Sequence, residues 1–269
     1  MITLKSAREL GLMREAGRLV AESHAIAREM IRPGTVTGDI DSAIDAFLAR
    51  QGATPLFKGF PGPVPFPAST CISVNQQIVH GVPGAWTLKE GDIVSLDVGV
   101  RLNGWCGDAA WTYAVGEVDD EKRKLMAAGR HLLHRAAHLC GQKQLWSQVA
   151  TEMMRDAKKL GVSLVRRFVG HGIGREMHEE PQVPNFFDAS MNLPDFSLNP
   201  GLVLAIEPMV NAGKPDVRIL HDKWTAVTAD GRPSVHYEHT VAITKDGPVL
   251  LTEGVGEPFD PREAPALPL

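Results

Sequence analysis

The 269-residue sequence has few cysteines, no long apolar run and no excess of basic residues, and each absence excludes a class of protein. Its three cysteines are an odd number without a Cys-x-x-Cys pair, which argues against a disulfide framework or a structural zinc finger and favours a reducing compartment. No apolar run approaches the roughly 20 residues that span a bilayer, and no secretory signal opens the chain. The formal net charge of -4 argues mildly against binding to a phosphate backbone. We therefore expect a soluble, cytoplasmic protein with neither a membrane nor a direct nucleic-acid partner.

At 43% hydrophobic residues, a chain of this length can bury a sizeable core. Helical periodicity predicts two helices at about 6–31 and 37–50, the first opened by a Ser6–Glu9 capping box, and two more at about 119–140 and 145–160. Extended segments follow each pair of helices, and after the second pair they are expected at 163–169, 202–209 and 237–244. Because this order occurs twice, we predict one domain over residues 1–255 with halves of about 1–117 and 118–255, and a proline-rich, flexible tail over 256–269.

A β-hairpin is predicted over residues 92–114. If Asn103-Gly104 forms a two-residue turn, Asp97 falls opposite Ala110, and Asp108 becomes its diagonal neighbour on the same face. An isolated aspartate near a hairpin is usually a surface group. Asp97, however, interrupts an otherwise apolar strand, and like charges on a buried face need a counter-ion. The pattern therefore indicates a cation site.

Further candidate ligands occur in the second half. Glu207 ends one apolar strand, and Glu238 is expected to open another. His171 and His178 lie in a glycine-rich segment that disfavours a helix, so we expect them to have different roles, whereas the local context of His80 leaves its role open. Four carboxylates and one imidazole would form an anionic pocket that two divalent ions can neutralise, which predicts hydrolysis by an activated water.

Five motifs, in their joint order, resemble those of the type I methionine aminopeptidases. They are CISVNQQIVHGVPG, GDIVSLDVGVRLNGWCGDAAWTY, RFVGHGIGREMHEEPQVPNF, GLVLAIEPMV and SVHYEHTVAIT, and the resemblance extends to about residue 255. It implies the pita-bread fold of the α+β class, a central, mostly antiparallel sheet with helices on its outer face and two pseudo-symmetric halves. Only 28 residues separate His178 from Glu207, without the long insertion of type II enzymes, and no extension precedes the first helix. The sequence is therefore expected to be the short, bacterial-style form.

The resemblance also implies a dinuclear metal site. Asp97 would chelate one divalent ion, Asp108 and Glu238 would bridge two adjacent ions, and His171 and Glu207 would bind the other. A bridging water would act as the nucleophile, and Glu207 would also relay its proton. The donor set suits Co, Mn or Fe(II), with Zn possible. Asn75 and Ser234 match positions that hold a structural monovalent cation in some relatives.

The implied substrate is the free N-terminal methionine of a nascent protein or peptide whose second residue is small. His178 would bind the scissile carbonyl and the developing oxyanion, and His80 would contact a peptide nitrogen at or beyond the scissile bond. The resemblance further implies a monomer that acts near the ribosome. The matching pocket positions, with an apolar lining that suits a thioether side chain, are Phe66, Cys71, Met177 and Trp224.

The sequence departs from the family pattern at four places. Phe66 replaces a frequent Tyr, Met177 replaces a frequent Phe, the loop 61–67 is unusually rich in proline, and His236 is a variation near the metals. Two alternatives also stay open at this point. A prolidase or X-Pro aminopeptidase uses the same five ligands but usually carries an extra N-terminal domain. A pita-bread protein that serves as a binding module on ribosomes or RNA should have lost ligands or gained a basic patch.

Overall fold

The computed structural model describes residues 1–188, 190 and 195–268. The four predicted helices are present, with ends one residue or less inside the expected limits. The Ser6–Glu9 capping box is also present, because Ser6 Oγ accepts from the Glu9 amide and the Ser6 amide donates to the Glu9 carboxylate. The helices are α1 (Ala7–Met30), α2 (Thr37–Arg50), α3 (Asp120–Leu139) and α4 (Trp146–Leu160).

The strands of the described residues pair in antiparallel fashion and form four sheets. The strands are β1 (Thr54–Pro55), β2 (Cys71–Val74), β3 (Gln77–Val79), β4 (Ile93–Leu102), β5 (Trp105–Ala114), β6 (Ser163–Leu164), β7 (Gly170–Gly172), β8 (Glu179–Val183), β9 (Val203–Ile206), β10 (Met209–Asn211), β11 (Val217–Ile219), β12 (Ala226–Thr228), β13 (Ser234–His236), β14 (His239–Thr244) and β15 (Gly247–Leu250). The sheet orders are β1-β4-β2 with β5 beside β4, β13-β10-β6, β11-β12-β3 and β15-β14-β9-β7-β8.

The helices cover the outer faces of these sheets. Helix α1 packs on β4 and β5, and helix α3 packs on β10 and β13. Gly17 allows α1 to approach the backbone at Leu251 closely, because a Cβ at position 17 would collide with the backbone oxygen of Leu251. Among the described residues, no helix combines the length and the apolar character that crossing a membrane requires.

The first-half hairpin has the predicted register. Asn103 and Gly104 both adopt positive φ angles, 51° and 77°, as a type I′ turn requires. Asp97 lies opposite Ala110, and Asp108 lies opposite Gly99. The two aspartates are therefore diagonal neighbours on one face, and this prediction is confirmed.

The second-half strands are more interrupted than predicted. The expected strand 202–209 is split between β9 and β10 at Glu207-Pro208, and the expectation that Glu238 opens a strand is wrong. Strand β9 pairs with β14, whereas β10 pairs with β13. The chain therefore passes from one sheet to another twice, once between β9 and β10 and once between β13 and β14. The Glu238 amide consequently donates to Ala110 O of the first-half hairpin at 2.8 Å instead of entering the β14 ladder. The expected strand 163–169 also shortens to β6, with β7 beginning at Gly170.

The C-terminal segment lies along α3. The Phe259 ring stacks on the His134 ring with centroids 3.6 Å apart, and the His131 ring, through Nδ1, donates to Ala266 O at 3.0 Å. These contacts restrain two points of the segment. The flexibility expected for 256–269 and the division into a domain 1–255 with two halves stay predictions, and residue 269 lies outside the described residues.

Candidate metal centre

Five side chains, here called the ligand cluster, converge from the β4–β5 hairpin and from strands later in the chain. The hairpin presents two of them from β4 and β5, strand β7 presents the third, and the sheet-changing breaks after β9 and β13 present the last two. Thr240 joins β14 to the hairpin, because its hydroxyl accepts from the Asp108 amide at 3.0 Å and donates to Asp108 O at 2.8 Å. The ligand cluster is Asp97, Asp108, His171, Glu207 and Glu238.

The side-chain atoms of the cluster are spaced as the ligands of shared cations would be. One ligand atom from each of Asp108, His171 and Glu238 lies within 4.8 Å of the others. His171 Nε2 lies 4.0 Å from Asp108 Oδ2 and 3.6 Å from Glu207 Oε1. Because metal–ligand bonds are about 2.0–2.2 Å long, atoms on one ion lie at most roughly 4.4 Å apart. These residues therefore fit a metal centre with little movement.

The tautomer of His171 follows from its hydrogen bond. The Nδ1 atom lies 3.0 Å from Gly172 O, and a carbonyl can only accept, so Nδ1 carries the proton. Nε2 is then a lone-pair donor that faces the carboxylates, as in most metal-ligating histidines. The glycines on both sides are sterically required, because a Cβ on Gly170 would collide with Ala205 O and one on Gly172 with Glu180 O.

The electrostatics of the cluster call for positive charge. Asp97 Oδ1, Asp108 Oδ1 and Glu238 Oε1 are buried without a hydrogen-bond partner. Burial, reinforced by the neighbouring Asp108 charge, raises the pKa of Asp97, Glu207 and Glu238 well above the ordinary range, and burial raises the pKa of Asp108 to about 7. Burial also lowers the pKa of His171 to about 4, so this ring is neutral. Bound cations would contact the unpartnered oxygens and balance their negative charge. Without cations, only protonation of the carboxylates could remove that charge.

A cavity of about 560 Å³ opens onto the cluster. Asp97, His171 and Glu207 reach its floor, whereas Asp108 and Glu238 do not border it. Five aromatic residues, here called the aromatic wall, line its side. The sequence had indicated Phe66 and Trp224 through the resemblance, but nothing had distinguished the other three from ordinary loop residues. The aromatic wall is Phe57, Phe60, Phe66, Phe168 and Trp224.

The cavity also brings together all six side chains that the resemblance implied as substrate contacts. They come from β2, from the end of β3 and from three loops, so no local sequence pattern could have predicted their proximity. The six are Phe66, Cys71, His80, Met177, His178 and Trp224.

The proline-rich loop 61–67 builds part of the wall. The Phe66 amide donates to Phe60 O at 3.0 Å, which closes the loop. Trp224 Nε1 donates to Val64 O at 2.9 Å, and the Trp224 ring meets the Phe66 ring edge-to-face at 5.3 Å. The unusual proline content thus accompanies a loop that holds two aromatic rings over the cavity.

The two histidines outside the cluster border the cavity from different elements. His80 follows β3 with a φ angle of 57°, a conformation that side chains rarely adopt and that often marks a functional position. The next residue must be glycine, because a Cβ on Gly81 would collide with Ile72 O. The His178 ring lies 4.4 Å from the His171 ring, and burial lowers the pKa of both His178 and His80, the latter to about 4.

Cys71 lies beside the ligand cluster. It pairs opposite Asp97 in the β2–β4 ladder, and burial, then the charges of Asp97 and Asp108, raise the pKa of its thiol. All three cysteines are unpaired and buried. The monovalent-cation positions are also adjacent, since the Ser234 amide donates to Asn75 O at 2.9 Å, but a cation there stays a prediction.

Comparison with known proteins identifies relatives along nearly the full chain. The profile of metallopeptidase family M24 matches residues 11–245. The sequence is 44% identical to methionine aminopeptidase 1 of Bacillus subtilis over 94% of this chain and 99% of that protein. It is 41% identical to methionine aminopeptidase 1 of Mycobacterium tuberculosis over 94% and 96%.

Solved structures extend the comparison to the fold. The methionine aminopeptidase from Thermotoga maritima superposes with a TM-score of 0.87 at 38% identity, covering 94% of this chain and 99% of that one. The prolidase from Pyrococcus furiosus shares the fold, with a TM-score of 0.73 at 21% identity, but this chain covers only 65% of it. The pita-bread architecture expected from the sequence is therefore confirmed.

Proposed function

The chain belongs to metallopeptidase family M24, and from this premise we propose that it hydrolyses the N-terminal methionine from nascent proteins and peptides whose second residue is small. One observation carries the proposal. A cluster of buried carboxylates, three of them with an unpartnered oxygen, lies at and directly beneath the floor of a cavity with an aromatic wall, so that a candidate cation site and a side-chain pocket adjoin. The full-length similarity to methionine aminopeptidases supports the same assignment.

Two divalent ions would be held by the ligand cluster. Asp97 would chelate one ion, Asp108 and Glu238 would bridge both, and His171 and Glu207 would hold the other. Oxygen donors with one imidazole suit Co, Mn or Fe(II), and Zn is compatible with the same set. Bound ions would lower the pKa of a water molecule, so that it becomes a nucleophile near neutral pH.

The surrounding side chains would handle protons and developing charge. Glu207 has one carboxylate oxygen facing His171 and the other facing His236. This carboxylate would take up the proton of the attacking water. His178 would donate a hydrogen bond to the scissile carbonyl oxygen as negative charge develops there. His80, held by its left-handed backbone, would contact the peptide nitrogen at or beyond the scissile bond.

The substrate side chain would lie against the aromatic wall. Phe66, Cys71 and Trp224 belong to one apolar cluster beside the cavity, and Met177 lines it from the His178 loop. An unbranched thioether side chain would make favourable sulfur contacts with the edges of these rings. We further propose that the enzyme is a cytoplasmic monomer. We place its action near the ribosome, because its substrate would be a newly made N-terminus.

The test measures free methionine released from Met-Ala-Ser by chelated protein, with and without Mn²⁺, Co²⁺ or Fe²⁺. Metal-dependent release that is poor on Met-Leu-Ser is the expected result. Release from Xaa-Pro peptides instead would assign a prolidase, and no release from folded protein under any metal would favour a binding module. Asp108→Asn serves as the inactive control, and Asp246→Asn, an exposed aspartate, as the matched active control.

A further inference from the structure

His236 is a buried side chain at the cavity that the proposed reaction leaves without a role. It is the last residue of β13, its side chain is 2% exposed, and it stands two residues before Glu238. Its Nε2 atom is buried without a hydrogen-bond partner. An unpartnered nitrogen at this depth costs free energy unless it serves an arrangement that forms when the site is loaded.

The backbone of His236 is fixed by the hairpin that carries the first-half ligands. The His236 amide donates to Thr112 Oγ1 at 3.0 Å and lies 3.3 Å from Ser95 Oγ, while Thr112 Oγ1 donates to His236 O at 2.9 Å. Ser95 and Thr112 face each other across β4 and β5, and their hydroxyls are 2.8 Å apart. The backbone that carries the imidazole is therefore hydrogen-bonded to the hairpin that carries Asp97 and Asp108.

The imidazole of His236 faces one specific ligand. Its Nε2 lies 3.6 Å from Glu207 Oε2, slightly beyond hydrogen-bond distance. The other carboxylate oxygen, Glu207 Oε1, lies 3.6 Å from His171 Nε2. The Glu207 carboxylate is thus flanked by two imidazoles, one on each oxygen.

The two imidazoles cannot have the same role. His171 holds its proton on Nδ1, so its Nε2 presents a lone pair toward the cluster. If His236 also presented a lone pair, it would face the lone pairs of Glu207 Oε2 with nothing between them. A proton on Nε2 of His236 turns that repulsion into a hydrogen bond after a small rotation of either side chain.

We propose that His236 is a positioning residue for Glu207: its Nε2–H donates to Oε2 and leaves Oε1, beside His171, for the cation. This inference rests on the proposed function for the identity of the site, although it concerns the binding of metal rather than the choice of substrate. It predicts that a donor is needed at this position. A side chain with an N–H of similar reach should substitute, and an apolar side chain of similar size should not.

The test compares His236→Leu with His236→Gln, because glutamine retains an N–H donor and leucine does not. Mn²⁺ affinity of chelated protein is measured by calorimetry, and kcat and KM are measured on Met-Ala-Ser. His236→Leu should weaken Mn²⁺ binding roughly 10- to 100-fold, the usual cost of losing a hydrogen bond to a metal ligand, and should lower kcat more than it raises KM. His236→Gln should recover most of both losses. His131→Leu, which removes a buried histidine outside the cavity, should leave Mn²⁺ affinity unchanged.

Two outcomes would overturn the inference. Wild-type Mn²⁺ affinity and kcat in His236→Leu would show that the contact with Glu207 does not matter. Equal damage in His236→Gln and His236→Leu would show that an N–H donor at this position does not restore the function of the site, which would contradict the positioning role. The wild-type protein gives an independent check if a variant does not fold. Nitrogen-15 NMR of Zn²⁺-loaded protein should show the Nε2–H tautomer at His236, and the Nδ1–H tautomer would contradict the inference.

The same measurements separate this inference from the proposed function. If wild-type protein releases no methionine but His236→Leu loses Mn²⁺ affinity and His236→Gln regains it, the function fails while the positioning role stands. If wild-type protein is active and His236→Leu retains its affinity and turnover, the function stands while the positioning role fails.

Discussion

The floor and the side of the cavity are built in different ways. The ligand cluster comes from strands and strand ends of both halves, tied together by backbone hydrogen bonds such as Glu238 N to Ala110 O. The aromatic wall comes largely from loops that close on themselves, such as the turn in which Phe66 donates to Phe60 O. Charges at the floor thus lie on hydrogen-bonded sheet backbone, whereas the apolar side depends on loop packing.

In the proposed enzyme this difference would separate metal binding from substrate selection. A ligand on a sheet is held against the repulsion of its neighbours, which buried carboxylates require. A wall of aromatic edges on loops can change its shape without disturbing the ligands. Substitutions in the cluster should therefore alter metal binding, and substitutions beside the substrate should alter turnover or KM while metal affinity stays constant.

The largest effect is expected for Asp108→Asn. A neutral amide is a poor bridging ligand, so this variant should lose at least one metal ion, and activity should fall by more than the roughly 100-fold that loss of an outer hydrogen bond can cause. Metal content by mass spectrometry and methionine release from Met-Ala-Ser measure both. Full metal loading in the variant would contradict the bridging role of Asp108.

The same variant should be more stable than the wild type when metal is absent. Burial raises the pKa of Asp108 from an ordinary value of 3.8 to about 7, so the folded state binds a proton between these values that the unfolded state does not. The contribution of Asp108 to the free energy of unfolding therefore decreases as pH rises from about 4 to 7. Buried histidines such as His24 have lowered pKa values and give the opposite slope, and the difference between variant and wild type cancels their contribution. That difference reports Asp108 together with its coupling to the neighbouring carboxylates Asp97, Glu207 and Glu238.

Urea denaturation in the presence of chelator measures that difference. The stability advantage of Asp108→Asn should be small near pH 4.5 and should grow by up to a few kcal/mol near pH 7.5, at about 1.4 kcal/mol per unit of pKa shift. Saturating Mn²⁺ should reverse the order and make the wild type more stable. A pH-independent difference would contradict the raised pKa.

The hairpin shows what could be predicted from sequence. Asn103-Gly104 between two alternating runs fixes a two-residue turn, the turn fixes the register, and the register places Asp97 and Asp108 on one face. Each step is local, so a single sequence sufficed. The helices were predictable for the same reason, because Ser6 with Glu9 and the glycine after Leu160 mark their ends.

The second half shows where local patterns fail. Glu207-Pro208 and Tyr237-Glu238 looked like parts of longer strands, because their neighbours are apolar and β-branched. The structure breaks both strands there, since each segment pairs first in one sheet and then in another. Only long-range pairing determines that change, and no short pattern encodes it. Phe57, Phe60 and Phe168 were missed in the same way, because a loop aromatic acquires its role from what packs beside it.

A smaller effect is expected for His178→Ala, beside the floor but outside the ligand cluster. Loss of a donor to the developing oxyanion should reduce kcat roughly 100-fold or more, while Mn²⁺ affinity stays at the wild-type value. Calorimetry and steady-state kinetics on Met-Ala-Ser make the comparison. His221→Ala, an exposed histidine outside the cavity, should behave as wild type. Weaker Mn²⁺ binding in His178→Ala would move His178 into the ligand cluster.

The smallest effect is expected for Met177→Ala at the side of the cavity. Met177 is buried and lines the space proposed for the substrate side chain, so its truncation should remove about 1.5 kcal/mol of apolar contact. KM for Met-Ala-Ser should rise roughly tenfold, with little change in kcat and none in Mn²⁺ affinity. Met154→Ala on α4, outside this cavity, is the matched control and should leave KM unchanged. An unchanged KM in Met177→Ala would place the substrate side chain elsewhere. Weakened Mn²⁺ binding would mean that the loop carrying Met177 helps to hold the ligand cluster, so that the side of the cavity and its floor could not be altered independently.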